Sequence, residues 1–143
     1  MKTLSFMMML AAMLLLISCG KTTTTDVTPE QLNGKWLLQT VEGAALPAVD
    51  VAEQPNVIFD STEGHFACFL GCNRINAQYK FEEGKISFVN PLSTRMLCHN
   101  EEIMQLENRL GLLLDQVKNV SMEDDILILS DEKGNQILTM VRE

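Results

Sequence analysis

The most reactive side chains in this chain of 143 residues belong to four cysteines and two histidines. Thiolates and imidazoles are common ligands of zinc, so His65, Cys68, Cys72, Cys98 and His99 could together hold a metal ion. Their spacings match no standard zinc pattern, and we therefore predict no metal site. In an oxidising compartment the same cysteines would form one disulfide and leave one free thiol.

The spacing of the three downstream cysteines limits how they can pair. Cys68 and Cys72 lie four residues apart in a predicted strand, which separates them by about 13 Å if the strand stays extended. A disulfide requires Cα atoms within about 7 Å of each other. Cys98 is therefore the expected partner of either Cys72 or Cys68.

The catalytic motifs that can be recognised from sequence are missing. The chain has no Gly-x-Ser-x-Gly elbow, no Gly-rich phosphate loop and no His-Glu-x-x-His pair. His65 begins a predicted strand and His99 precedes a helix cap, which favours surface or capping roles for both. We predict that the protein is not an enzyme, with no catalytic residue and no cofactor.

The fourth cysteine lies at the end of an export signal. Lys2 is the only charge in residues 1–18, and residues 6–17 form an uninterrupted apolar run of twelve. Twelve helical residues span about 18 Å, too little for a bilayer core of about 30 Å, so we expect a signal peptide at 1–18. Residues 16–19, Leu-Ile-Ser-Cys, resemble the bacterial lipobox. This predicts lipid attachment at Cys19, a polar tether over 19–27 and a folded domain over 28–143.

The charge of the remaining chain excludes one class of partner. The sequence has 11 basic and 19 acidic residues, and without Lys2 the net charge is −9. Phosphate recognition needs a basic surface, so we expect no nucleic-acid partner. We expect the protein to contact a membrane through the lipid on Cys19. The expected location is the bacterial outer membrane, with the domain facing the periplasm.

Alternation of apolar and polar residues predicts a series of short strands. They are expected at 34–41, 56–60, 65–70, 75–81, 85–89, 120–122, 126–130 and 136–142. Gly71 predicts a bulge or a close backbone approach, and Asn90-Pro91 is expected to end the 85–89 strand. Trp36 is interpreted as core packing.

One helix is predicted between the strands, at about 100–118. Asn100 suits the N-cap, and Ile103, Leu106, Leu110, Leu113 and Val117 form an apolar stripe. Because the connections are too short for parallel crossovers, the predicted fold is α+β. It is a curved antiparallel β-sheet or partial barrel of short strands, with this helix covering its open side.

Two motifs resemble the META (HslJ-like) domain family: Gly71-Cys72-Asn73-Arg74 and Thr94-Arg95-Met96-Leu97-Cys98, the second followed by a helix. The resemblance covers most of residues 28–142 and implies a compact sheet-plus-helix domain in the bacterial envelope. It also implies a Cys72–Cys98 disulfide, with Cys68 as the spare thiol.

The resemblance further implies that Asn73 and Arg95 are the characteristic polar residues of the family. The residues that could bind a ligand or partner, or stabilise the fold, are Gly71, Asn73, Arg74, Thr94, Arg95 and Met96. Two roles are open for Arg95: it could tie the loop before Cys98 to the sheet through Asn73, or it could contact a ligand or partner.

The family brings no established enzymatic activity, and two classes of function follow. The first is a non-catalytic envelope lipoprotein that binds a protein or envelope component in stress tolerance, with an inhibitor of a secreted protease as a variant. The second is a lipocalin-like carrier of a small apolar ligand, suggested by Gly34-Lys35-Trp36 on the first strand. A large internal pocket would favour the carrier, and a filled interior with an exposed patch would favour the binding module.

Overall fold

The computed structural model describes residues 24–25, 27–48, 50 and 52–143. The predicted signal peptide and Cys19 lie outside the described residues. The strands are β1 (Thr24–Thr25), β2 (Gly34–Val41), β3 (Ala44–Ala45), β4 (Asn56–Asp60), β5 (His65–Phe69), β6 (Arg74–Glu82), β7 (Lys85–Ser93), β8 (Asn119–Glu123), β9 (Ile126–Ser130) and β10 (Gln136–Arg142). The helices are α1 (Pro29–Leu32), α2 (Glu101–Leu113) and a 3₁₀ turn at Leu114–Gln116 that continues α2.

Eight of these strands form a closed antiparallel barrel. Strands β2, β4, β5, β6, β7, β8, β9 and β10 pair with their neighbours in chain order, and β10 returns to pair with β2. The sequence predicted a curved sheet or a partial barrel, and the structure goes further because the β2–β10 pairing closes the sheet. Within the described residues the fold is mostly β, with one long helix.

The barrel has one weak seam, between β7 and β8. These strands pair at a single position, Lys85 with Asn119. Helix α2 connects the two strands, and its buried residues Ile103, Leu110 and Leu113 face the core together with Leu114 and Val117. The predicted helix is therefore present, although the barrel that it packs on is closed rather than open on one side.

The start of α2 follows its capping residue. The Asn100 side chain accepts a hydrogen bond from the backbone N–H of Ile103 at 3.1 Å. Glu101 and Glu102 occupy the first turn, where negative charge is favourable for the helix dipole. No helix in the described part of the chain is both long and apolar enough to cross a membrane.

Aromatic side chains fill the barrel interior. The ring centroids of Phe59 and Phe66 are 5.3 Å apart, those of Phe59 and Tyr79 are 5.4 Å apart, and those of Phe66 and Phe88 are 4.6 Å apart. Edge-to-face pairs of this kind stabilise a core beyond the area that they bury. Trp36 is also buried, which confirms its predicted core role.

Strand β7 is longer than the sequence predicted. It continues through Asn90 and Pro91 to Ser93, and its pairing with β6 shifts between Asn76 and Gln78. Asn90 has φ of +52°. This irregularity accommodates a proline, which has no N–H to donate to the ladder, so the predicted end at Asn90-Pro91 is wrong.

The chain contacts the barrel within the segment predicted as a tether. Thr24 and Thr25 pair with Glu123 and Met122, and Val27 is buried. Thr28 then caps α1, where its side chain accepts from the backbone N–H of Gln31 at 3.3 Å.

Candidate functional site

A disulfide joins Cys72, in the connection between β5 and β6, to Cys98, just before α2. Their Cα atoms are 6.0 Å apart. Cys68 is a free thiol and is buried on β5. The structure thus contains the Cys72–Cys98 bridge that the family resemblance implied, and it answers which cysteine pairs with Cys98.

The carboxylate of Glu107 lies buried on α2 beside this bridge. It accepts hydrogen bonds from the backbone N–H of Cys72 at 3.0 Å, from the backbone N–H of Asn73 at 2.6 Å and from the Asn73 Nδ2 at 2.9 Å. Glu107 is 3% exposed and forms no ion pair with any described residue. A buried carboxylate is costly unless donors surround it, and here three N–H groups serve that purpose.

Asn73 connects Glu107 to the loop that precedes Cys98. Its Oδ1 accepts from the Met96 backbone N–H at 2.8 Å and from the Thr94 hydroxyl at 3.0 Å. Its Nδ2 also lies 3.2 Å from the sulfur of Cys98. We call Cys72, Asn73, Thr94, Cys98 and Glu107 the Asn73 clamp, because together they fix residues 94–98 against the β5–β6 connection.

The other residues of the first motif have local roles. Gly71 has φ of +143°, a backbone conformation that favours glycine. The Arg74 Nη2 donates to Glu53 Oε2 at 2.9 Å, and its guanidinium lies 5.2 Å from the centre of the Phe69 ring. The Arg74 side chain therefore makes surface contacts beside the clamp. Its backbone bonds to Thr94 of the clamp: the Arg74 N–H donates to the Thr94 hydroxyl at 3.0 Å, and the Arg74 carbonyl accepts from the Thr94 N–H at 3.1 Å.

Residues 92–97 are consecutively exposed on the outer side of the clamp. Leu97 is 91% exposed, Leu92 is 70% exposed and Met96 is 58% exposed. Arg95 is also exposed, and its side chain forms no hydrogen bond or ion pair within the described ranges. Asn73 and Arg95 are therefore not joined, and it is the Met96 backbone that holds the loop.

Two grooves lie on either side of Leu97. The Met104 groove has a volume of about 590 Å³ and is lined by residues from the end of β7, by Arg95 and Met96, and by Met104 of α2. The disulfide groove has a volume of about 690 Å³ and is lined by Cys72, Cys98 and His99, among others. Leu97 lines both grooves, so it forms a ridge between them.

The five histidines and cysteines that were considered as metal ligands do not all lie together. Within the described ranges, Cys72, Cys98 and Glu107 place ligand atoms within 4.8 Å of one another, and neither histidine belongs to this group. Both sulfurs are bonded to each other, so neither is available as a thiolate ligand.

Cys68 is poorly suited to nucleophilic chemistry. Burial raises the pKa of its thiol to about 12, and the nearby Glu107 carboxylate adds to the rise. The thiol therefore stays protonated at neutral pH, whereas a nucleophilic cysteine needs its thiolate. The site therefore exposes the loop at residues 92–97, whereas the Cys68 thiol and the Glu107 carboxylate are buried.

Glu107 is the residue that the sequence analysis missed. It follows Ile103 by four positions and precedes Leu110 by three, so it lies on the apolar stripe of α2. A carboxylate on a buried face was the available signal, because such a group requires donors from elsewhere in the fold.

Comparisons with known proteins agree with this architecture. Heat shock protein HslJ of Escherichia coli (strain K12) is 28% identical over 126 residues, which cover 86% of each chain. One protein structure determined by NMR has a TM-score of 0.64 at 26% identity, and the match covers 80% of this chain and 94% of that one. A second NMR structure, of a protein from Burkholderia xenovorans, has a TM-score of 0.63 at 22% identity, covers 85% and 92% of the two chains, and supports the fold alone.

The family comparison covers the whole barrel and both motifs. The family model of the META domain matches residues 28–143, from the cap of α1 to the residue after β10. The chain therefore belongs to the META domain family.

Proposed function

We propose that the protein is a non-catalytic envelope lipoprotein that binds another protein through Leu92, Arg95, Met96 and Leu97, which we call the 92–97 surface. One observation carries this proposal: the buried Asn73 and Glu107 of the clamp, with the disulfide, hold an exposed and largely apolar loop in place. Large apolar side chains at high exposure, grouped together, are typical of interaction sites.

The energetics of the clamp support a role in presenting the loop at residues 92–97 to a binding partner. Burying the Glu107 carboxylate and the Asn73 amide costs desolvation, which their mutual hydrogen bonds offset. That arrangement leaves Leu97 facing solvent, so it adds little to the core. A loop that is already ordered loses less conformational entropy when it binds a partner, and this raises affinity.

The envelope location and the stress role rest on the sequence and on the relative. The signal-like residues 1–18 and the lipobox-like residues ending in Cys19 support a lipid anchor. The relative from Escherichia coli carries the name heat shock protein. Both support a role in the stress tolerance of the envelope.

The lipocalin-like carrier is the second candidate, and the closed barrel is consistent with it. Its internal site, however, would compete with Trp36, Phe59, Phe66 and Tyr79 for the same space. Four pockets of about 400–780 Å³ in the described part of the chain are not lined by these four residues. A filled interior with an exposed patch favours the binding module.

Affinity capture from intact envelopes tests the proposal. We compare the full chain with Leu97→Ser and with Leu112→Ser, a matched control in α2 that is 70% exposed and lines neither groove. Mass spectrometry should find a partner with the unaltered chain and with Leu112→Ser, but not with Leu97→Ser. Equal capture by both variants would contradict a role for the 92–97 surface.

A further inference from the structure

We propose that the Arg95–Met96 peptide bond is the reactive site of a serine-protease inhibitor, with Arg95 entering the acidic specificity pocket of a trypsin-like enzyme. This inference rests on the proposed function, because it names the kind of protein that the 92–97 surface binds. It concerns five residues in sequence, from Thr94 to Cys98.

This segment is ordered by its contacts and open to solvent. Residues 94–98 follow the end of β7 and form no turn, bend or helix before Cys98. Residues 92–97 are all exposed, and the side chains of Met96 and Leu97 reach solvent over 58% and 91% of their surface. An exposed segment that is already held in place can enter a cleft with little rearrangement, as pre-organised inhibitors do.

The Asn73 clamp supports the peptide bond from both sides. On the amino side, the Thr94 hydroxyl donates to Asn73 Oδ1 at 3.0 Å. On the carboxyl side, the Met96 N–H donates to the same oxygen at 2.8 Å, and the Met96 carbonyl lies 3.4 Å from Asn73 Nδ2. The Cys72–Cys98 bridge fixes the chain two residues further on. One buried side chain therefore holds both neighbours of Arg95.

Arg95 itself is free to be recognised. Three other cations in the described part of the chain, Lys35, Arg74 and Arg109, form ion pairs with acidic side chains, whereas Arg95 forms none. Its guanidinium can therefore enter an acidic pocket without first breaking an internal contact. In trypsin an aspartate at the bottom of this pocket sets the preference for basic residues, and a guanidinium fits a carboxylate with two parallel hydrogen bonds.

The clamp also explains why such a loop would inhibit rather than be degraded. Hydrolysis of the bond consumes one water and yields the Arg95 carboxylate and the Met96 amine. Thr94 and Met96 would both stay bonded to Asn73, and Cys98 would stay bonded to Cys72, so the new ends would remain close together. Proximity of this kind gives a high effective concentration and favours re-formation of the bond.

Inhibition of bovine trypsin by the full chain, purified in detergent, tests the proposal. We expect one-to-one inhibition with a Ki of about 1 μM or below, as protease–inhibitor complexes are among the tightest of their size. Chymotrypsin, whose pocket is apolar, should not be inhibited. Failure to inhibit trypsin would overturn the proposal, and so would rapid cleavage at Arg95–Met96 in the unaltered chain.

Substitutions at Arg95 separate recognition from folding. Arg95→Ala should weaken trypsin inhibition by at least about 30-fold, which corresponds to a hot spot of 2 kcal/mol, and should leave the melting temperature unchanged. Arg95→Phe should transfer inhibition from trypsin to chymotrypsin. Lys133→Ala is the matched control, since it removes an exposed cation from the β9–β10 turn and should not affect inhibition. Inhibition that survives Arg95→Ala would contradict the assignment of the reactive site.

This test can fail while the proposed function stands. If trypsin is not inhibited but Leu97→Ser still abolishes capture from envelopes, the 92–97 surface binds a protein of another kind. If Leu97→Ser and Leu112→Ser capture equally, the proposed function fails as well.

Discussion

Replacing Asn73 by alanine removes the centre of the clamp, and the structure gives the size of the effect. The change deletes one hydrogen bond to the buried Glu107 carboxylate, two that hold the Thr94 hydroxyl and the Met96 N–H, and a long one, at 3.4 Å, to the Met96 carbonyl. A bond to a charged group contributes about 1.5–3 kcal/mol, and a neutral one contributes about 1 kcal/mol. Since the Thr94 and Met96 groups can regain bonds to water, we expect a net loss of about 3 kcal/mol.

Urea unfolding with the disulfide intact measures this loss. For a domain of this size, about 3 kcal/mol also lowers the melting temperature by about 12 °C. Asn108→Ala is the matched control, because Asn108 is exposed on α2 and should change the free energy of unfolding by less than about 0.5 kcal/mol. A loss below about 0.5 kcal/mol for Asn73→Ala would refute the clamp.

An isosteric change adds a second check on the same contact. Asn73→Asp retains the oxygen that accepts from Met96 but places a second carboxylate oxygen about where Nδ2 now lies, 2.9 Å from Glu107 Oε2. Two carboxylates at that distance repel each other unless one is protonated. We therefore expect a larger loss of stability at pH 8 than at pH 5. A loss independent of pH would mean that Asn73 does not face Glu107 in solution.

Further predictions concern the thiol, the anchor and the loop. Because burial raises the pKa of Cys68 from 9.0 to about 12, the unfolded chain ionises first as the pH rises. The free energy of unfolding should therefore fall by about 1.4 kcal/mol between pH 8 and pH 10 because of this thiol. The Cys68→Ala variant should not show this contribution. The same thiol should react with iodoacetamide only after unfolding, which peptide mapping would show. Cys19→Ala should abolish palmitate labelling and release the protein from membranes, and labelling that survives the change would contradict lipidation at Cys19. Arg95→Ala should change the free energy of unfolding by less than about 0.5 kcal/mol, because the described structure gives its side chain no hydrogen bond; a loss of 1–3 kcal/mol would instead show that it ties the loop to the sheet.

Local patterns predicted most of the strands and the long helix. Ile75, Ala77 and Tyr79 alternate with polar residues and are buried as expected, and Asn100 caps α2 as its side chain and position indicated. These elements depend on residues within a few positions of each other. Their signals are therefore visible in a short window of sequence.

Closure of the barrel could not be predicted in the same way. It depends on β10 pairing with β2, as in Val141 opposite Leu37, across about a hundred residues of chain. Alternation shows which face of a strand is buried, but it does not show which strand lies beside it. The extension of β7 past Pro91 likewise depends on an irregularity in its pairing with β6.

The sequence identified the motif residues of the candidate site but not Glu107. Cys72, Asn73, Thr94 and Cys98 stood out through the family motifs, and they do meet in space. Glu107 lies 34 positions beyond Asn73, and its role becomes clear only when the fold places it beside the β5–β6 connection. For Arg95 the sequence left two interpretations open, and exposure, which depends on the whole fold, favours contact with a partner.

Site-specific photocrosslinking in living cells tests most directly the claim that the 92–97 surface binds a protein. A benzophenone side chain is introduced in place of Leu97 or, as the control, in place of Leu112, which is 70% exposed but lines neither groove beside Leu97. We predict that irradiation yields a crosslinked protein of defined mass with the probe at position 97 and none with the probe at position 112. Crosslinks of equal yield at both positions, or none at position 97, would contradict the account.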